Sequence, residues 1–437
     1  MDEIFHIPQA QLYCQGQFNK WDPMITTLPG LYILTSGLYN PIAWMLDWEP
    51  VTLCNTYYLR GINVLFSFGN LYLLYKLSAK LHDKEAATGV KALIESMTLT
   101  SFPVLYFYNF LYYTDPGAVF FVLLMYVFHL HDNNMAAAVI GVMSVIFRQT
   151  NIVWVIFMAG LVLGKILMCQ LYVEKKEANA EKLGDWAVLK LTWKVIVFPA
   201  LTSPSQMFSL VFTLLKGLWM YVLVGCSFAL FIYVNKGIVV GDRSHHEACL
   251  HFPQLFYFLC CTTCFGFPYM ISVHKVFDFV VSTAKRPLSM ILFSGVAWFC
   301  VYKFTYVHEY LLADNRHYPF YIWSKIYRRH EFVKYALIPA YYYAFRVLLQ
   351  NLKGKDIYWK ISFFLCLVFA TVPQKLLELR YFILPYIIFR LNMPSQPMYK
   401  LLMESGLYVV INAITMYLYI YKPFKWEHEE GWQRFLW

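Results

Sequence analysis

Apolar runs long enough to cross a bilayer recur along the whole chain, and nothing else in the sequence constrains the fold as tightly. In hydrocarbon each backbone N–H and C=O must be satisfied without water, so only helices or closed barrels can span. A helix needs about 20 apolar residues to do so. Roughly ten or eleven such runs lie between Tyr57 and Tyr421, among them Tyr57–Tyr75, Ala92–Tyr112, Met207–Tyr233, Tyr381–Phe389 and Leu401–Tyr421. The expected fold class is all-α: a polytopic membrane protein built as a helical bundle. Only 14% of the 437 residues are charged, against about a quarter in soluble domains, which excludes a soluble enzyme. Aromatic residues make up 19% and suit two membrane interfaces. With neither an internal repeat nor a Pro/Ser linker, residues 1–437 read as one domain.

The net charge of +10 contains no basic block, so no nucleic-acid partner is expected. The lipid bilayer, anionic head groups or a phosphate-bearing substrate fit it better. Six of the ten Cys, at 226, 260, 261, 264, 300 and 366, lie in apolar runs, where free Cys behaves as a small hydrophobe. No disulfide framework is expected. The opening Met1–His6 has neither the basic nor the apolar region of a signal peptide.

Lys and Arg near span ends are retained on the cytoplasmic side. Four segments qualify: 76–91, 172–194, 274–286 and 352–360. The turns at 112–117, 148–151, 235–251, 303–329 and 374–380 then share the opposite side, and they hold most of the functional polar clusters. Lys325, Arg328 and Arg329 depart from this pattern and fit an interfacial helix.

Each cluster carries more than one reading. Asp2 and Glu3 are adjacent carboxylates, followed by His6. Sugar transfer with inversion needs a carboxylate to deprotonate the attacking hydroxyl and cations to stabilise a departing phosphate; a solvated terminus is the plainer alternative. Arg148, in Arg148-Gln149-Thr150-Asn151, is costly between apolar runs and so functional by default, or it snorkels to head groups. Asp115, in Asp115-Pro116-Gly117, reads as a turn residue and is left out of the site. The loop from Gly241 to His251 carries Arg243 and a His-rich stretch. His246 and His251 stand about 140° apart around a helix and cannot share a face, so no metal is expected. Arg316, beside Asp314 and His317, has the fork to hold a phosphate bidentately. Lys375 and Glu378 stand at i and i+3 and also read as a simple helix pair.

Met1–His6, Trp21–Thr27, Phe147–Asn151, Gly241–His251, Ala313–Tyr318 and Pro373–Glu378 together resemble one family along essentially the whole chain. It is that of the endoplasmic-reticulum dolichyl-phosphate-glucose alpha-1,2-glucosyltransferases, of the GT-C fold. The resemblance implies transfer of the terminal glucose from dolichyl phosphate glucose to the dolichyl-diphosphate-linked oligosaccharide, at the endoplasmic reticulum membrane with the site facing the lumen. It also implies that Asp2, with Glu3 beside it, is the general base. Donor phosphate or sugar would be held by residues drawn from His6, Arg148, Arg243, Asp314, Arg316, His317, Lys375 and Glu378, with no cofactor. The family carries a transmembrane helix before its acidic motif, so a first crossing is expected upstream of Met1. Two other readings stay open. One is a GT-C mannosyltransferase; the other is a non-catalytic transporter or channel modulator, for which broken helices in matching halves would be the sign.

Overall fold

The apolar runs become helices that pack around one continuous core rich in Phe, Tyr and Leu. In the computed structural model, which describes residues 3–82, 88–175, 184–243, 248–427 and 431–437, the chain is an all-α, multi-pass membrane protein. Four of the described helices are long and apolar enough to cross a bilayer alone: Gln149–Leu171, Pro204–Asn235, Pro287–Phe304 and Met398–Tyr421. Asp115–Leu130, Asn134–Phe147, Pro253–Phe265 and Ile357–Thr371 are apolar but shorter. Helix Pro204–Asn235 buries only Tyr221 and Val224, leaving an apolar surface suited to lipid.

Two expected spans take a different form. Ala92–Tyr112 is interrupted, because the residue before a proline is pushed out of the helical region. Phe102 sits at φ −50°, ψ 120°, and divides Thr88–Thr100 from Pro103–Tyr108. Tyr381–Phe389 falls largely in helix Ile383–Leu391, nine residues that are all buried. Nine residues rise about 14 Å, less than half of a hydrocarbon core of about 30 Å, so this helix is an internal plug.

The two sets of turns separate to opposite ends. Helices Asp115–Leu130, Ile152–Lys175, Pro204–Asn235, Ile338–Asn351 and Ile357–Thr371 each run between a polar-turn segment and the other end of the bundle. At the basic end Lys275 Nζ donates to Asn351 Oδ1 at 3.0 Å, and Lys360 pairs with Asp185 at 2.7 Å. At the polar end backbone bonds join the loops: His251 N–H to Val372 O, Cys249 N–H to Pro373 O, and Asp242 N–H to Pro23 O. Gly241 has φ +76°, and a Cβ there would come within 2.5 Å of Pro23 O, so only glycine allows the approach.

One charged cluster is sealed inside the bundle. Arg390, 1% exposed, pairs with Glu95 at 2.8 Å and with Glu404 at 3.0 Å. Tyr269 and Tyr386 hydroxyls donate to the Glu404 carboxylate at 2.8 and 3.0 Å. These bonds tie together four separate helical segments that burial alone would leave free to slide. Removing one member of a buried ion group strands its partners and costs about 3–5 kcal/mol. Arg390→Met is therefore expected to lower the thermal unfolding midpoint of the detergent-solubilised protein by several degrees; an unchanged midpoint would show that the cluster does not secure the bundle.

Candidate active site

Helix Asp115–Leu130 begins where the sequence suggests only a turn. Pro116 occupies the first helical turn, where its missing N–H costs nothing, and Gly117 lets the helix press on its neighbour, since a Cβ there would lie 2.5 Å from the Phe147 ring. Asp115 is thus carried into the protein rather than out of it, 2% exposed. Its Oδ1 accepts from Arg148 Nη1, and its Oδ2 lies 3.8 Å from Arg380 Nη1. That Oδ2 has no hydrogen-bond partner among the described residues. Arg380 also binds Glu378 Oε2 through Nε and Nη2, at 3.1 and 2.8 Å. The guanidiniums of Arg148 and Arg380 and the carboxylate of Asp115 line a cavity with Thr150, Gln374 and Tyr381.

Aromatic rings extend this centre. Arg380 lies over the rings of Tyr108 and Tyr113, at 5.7 and 5.8 Å, and Arg148 over that of Tyr381 at 5.6 Å. Tyr113 also meets His6, ring to ring at 5.6 Å, and His6 Nδ1 bonds the Tyr32 hydroxyl. Glu3, in the same helix, accepts from Arg60 Nε and Nη2 at 2.8 and 2.7 Å and from the Tyr112 N–H at 2.8 Å. A disulfide, Cys14–Cys54, closes the far end of that helix onto the start of helix Thr56–Leu81. This bond corrects the expectation from cysteine spacing. Asp2 lies outside the described residues, as does His246.

Comparison with known proteins gives the family of the chain. The pattern of the DIE2/ALG10 family matches residues 1–391. The chain belongs to the DIE2/ALG10 family. A rat protein named Dol-P-Glc:Glc(2)Man(9)GlcNAc(2)-PP-Dol alpha-1,2-glucosyltransferase (Rattus norvegicus) is 47% identical over 445 residues, covering 100% of this chain and 93% of its own length. Proteins of the same name from Homo sapiens, 46% identical, and Arabidopsis thaliana, 33% identical, also align over 100% of this chain, and over 93% and 94% of their own lengths. No solved structure matches the chain.

Among the residues expected in the site of this DIE2/ALG10 member, Arg148 and Glu378 join the Asp115 centre, and His6 reaches it through Tyr113. Arg316 does not present an open fork: its Nε and Nη2 bind Asp314 at 2.9 and 2.7 Å, and its face lies 4.7 Å over Trp426. Burial would raise the pKa of Asp314, but the hydrogen bonds from Arg316 and the nearby His317 hold it below the usual value. His317 Nε2 lies 3.6 Å from Asp314. Arg243 caps a helix end, donating to the carbonyls of Asn235, Lys236 and Val239. The Lys375 side chain makes no hydrogen bond or ion pair among the described residues. Glu378 pairs with Arg380 in place of Lys375. Asp115 and Arg380 are the residues that sequence reasoning passed over. Their signal was present only as an Asp before Pro-Gly and an Arg two residues beyond Glu378.

His251, beside this group, is 1% exposed, with Nδ1 3.5 Å from Gln254 Nε2. Burial lowers its pKa from 6.5 to about 4, against the opposing effect of the Gln374 and Lys375 backbone. The folded protein therefore binds fewer protons here than the unfolded chain between those values, and the stability that goes with a neutral His251 is complete above pH 6.5 and lost as pH falls towards about 4. Compared with His251→Asn, the wild type is expected to lose thermal stability more steeply on acidification through that window. Parallel curves for the two proteins would show that His251 does not titrate as described.

Proposed function

We propose that this protein transfers the terminal alpha-1,2-linked glucose from dolichyl phosphate glucose to the diglucosylated dolichyl-diphosphate-linked oligosaccharide. The single observation that carries the reading is its full-length identity with glucosyltransferases named for that reaction. The enzyme is a hexosyltransferase. It works in the endoplasmic reticulum membrane with the polar-turn end facing the lumen, where the disulfide at that end fits an oxidising compartment.

In the reaction the acceptor hydroxyl oxygen attacks the anomeric carbon of glucose, the bond from that carbon to the phosphate oxygen breaks, and the hydroxyl proton passes to a carboxylate. Dolichyl phosphate leaves with the bonding electrons, so negative charge grows on its oxygens as the bond lengthens. Fixed cations in a site poor in water stabilise that charge without reorganising. Arg148 and Arg380 serve this role, supported by their meeting at Asp115 inside one cavity. Lys375 adds a charge that no carboxylate among the described residues neutralises. Asp2 is the general base; the complete engagement of the Glu3 carboxylate by Arg60 and Tyr112 leaves Glu3 as an anchor for the acidic motif. His6 and His317 orient sugar hydroxyls, and Asp314, Arg316, Arg243 and Glu378 hold the walls of the site.

Microsomes lacking the endogenous enzyme test these roles through the amount of precursor that stops one glucose short. Asp2→Asn is expected to lower kcat by about 10²–10⁴-fold, and Arg148→Ala or Arg380→Ala by about 10²–10³-fold. Full transfer by Asp2→Asn would remove the base assignment, and full transfer by both arginine variants would remove the phosphate assignment.

A further inference from the structure

The segment that follows helix Met398–Tyr421 returns to the polar-turn end. A short antiparallel pair, Phe424–Lys425 with Trp432–Gln433, turns the chain back, and the residues beyond it run into the protein. Leu436 is 4% exposed and forms a parallel bridge with His317: its N–H donates to Arg316 O at 2.8 Å, and its carbonyl accepts from the Tyr318 N–H at 3.2 Å. The Trp437 ring lies tilted against those of Tyr318 and Phe265, with centroids 4.8 and 6.0 Å away. The Trp437 backbone oxygen then accepts from two groups, the Tyr108 hydroxyl at 2.8 Å and His317 Nδ1 at 3.2 Å.

These two donors belong to different halves of the site. His317 sits in the loop that holds Asp314 and Arg316, while the Tyr108 ring is one of the two faces under Arg380. One backbone oxygen therefore bridges the loop of 313–318 to the Arg380 centre, and it does so only while the indole is packed. It also fixes the orientation of the His317 ring: with Nδ1 donating to Trp437, Nε2 is the nitrogen turned towards Asp314. Gln433 adds a second tie, accepting from Arg316 Nη1 at 3.1 Å.

Resting on the function proposed above, we infer that residues 431–437 complete the active site, with Trp437 as a positioning residue that sets His317 directly and Arg380 through Tyr108. Groups that stabilise a transition state lose their effect when displaced by about 1 Å, so a loosened segment lowers turnover without weakening the binding of the ground state.

The test uses the full chain in membranes lacking the endogenous enzyme, supplied with dolichyl phosphate glucose and the diglucosylated acceptor. Trp437→Ala frees the segment. Tyr108→Phe removes one hydroxyl and leaves the packing intact, so it keeps the inference testable if the first variant folds poorly. Both are expected to lower kcat per folded molecule by about tenfold or more with KM for the donor within about threefold of wild type, and Trp437→Phe is expected to stay within about threefold in both parameters. An unchanged kcat per folded molecule in either loosening variant overturns the inference, as does a loss confined to the yield of folded protein. An inactive Arg380→Ala beside a fully active Tyr108→Phe would remove this inference alone, whereas a fully active Arg380→Ala would remove the phosphate assignment on which it rests.

Discussion

The shared grip of Arg148 and Arg380 on Asp115 is the interaction on which the polar end of this protein depends. Charges beside a lipid core are costly unless paired, and here one carboxylate, 2% exposed, brings together the start of helix Asp115–Leu130, the connection after helix Asn134–Phe147 and the segment before helix Ile383–Leu391. Helix packing fixes how these elements lie side by side, but an apolar face is tolerant of sliding. An ion pair is not. The aromatic faces of Tyr108, Tyr113 and Tyr381 close over the guanidiniums and add cation–π attraction that strengthens as water is excluded.

A second buried group holds the structure elsewhere in the bundle, and its contrast with the first is informative. Around Arg390, Glu95 and Glu404 the carboxylate and guanidinium contacts are supplemented by tyrosine hydroxyls. Both carboxylates there accept from the Arg390 guanidinium, and both oxygens of Glu404 are hydrogen-bonded. At Asp115, one carboxylate oxygen is buried without a hydrogen bond among the described residues, and the arginines beside it border a cavity. The fully bonded cluster suits a joint between helices, and the one with an unbonded carboxylate oxygen suits chemistry.

Much of the fold was legible in the sequence because the bilayer acts on local features: an apolar run of sufficient length must become a helix whatever surrounds it. The division of turns into a basic set and a polar set was legible for the same reason, since it counts charges near helix ends. The two misread spans mark the limit. Pro103 was visible, but the apolar run continues through it, and Tyr381–Phe389 is apolar because the protein encloses it rather than because lipid does. The site was legible in part. Arg148 stood out as a charge between apolar runs, whereas Asp115 was hidden, because Asp-Pro-Gly suits a turn and a helix start equally and its partners are distant in sequence. Arg316 misled in the other direction: its fork matches phosphate, but it equally matches Asp314 two residues away. The Cys14–Cys54 bond was out of reach because two cysteines among ten carry no pairing signal.

Charge counting explains why Lys375 matters to the proposed reaction. A dolichyl phosphodiester carries one negative charge, and the phosphate that leaves carries more as the glycosidic bond breaks. Arg148 and Arg380 pair with the carboxylates of Asp115 and Glu378, which hold the two guanidiniums in place. Cations held in this way orient the donor, and a further cation nearby adds to the stabilisation of the charge that develops. Lys375, three residues before Glu378 and without an ionic partner among the described residues, is the residue proposed to supply such a charge. An added positive charge that is weakly used in the ground state and strongly used as the leaving group forms is what differential binding of a transition state requires. The arginines, held by carboxylates and tyrosine faces, then provide the geometry, and the lysine provides the field.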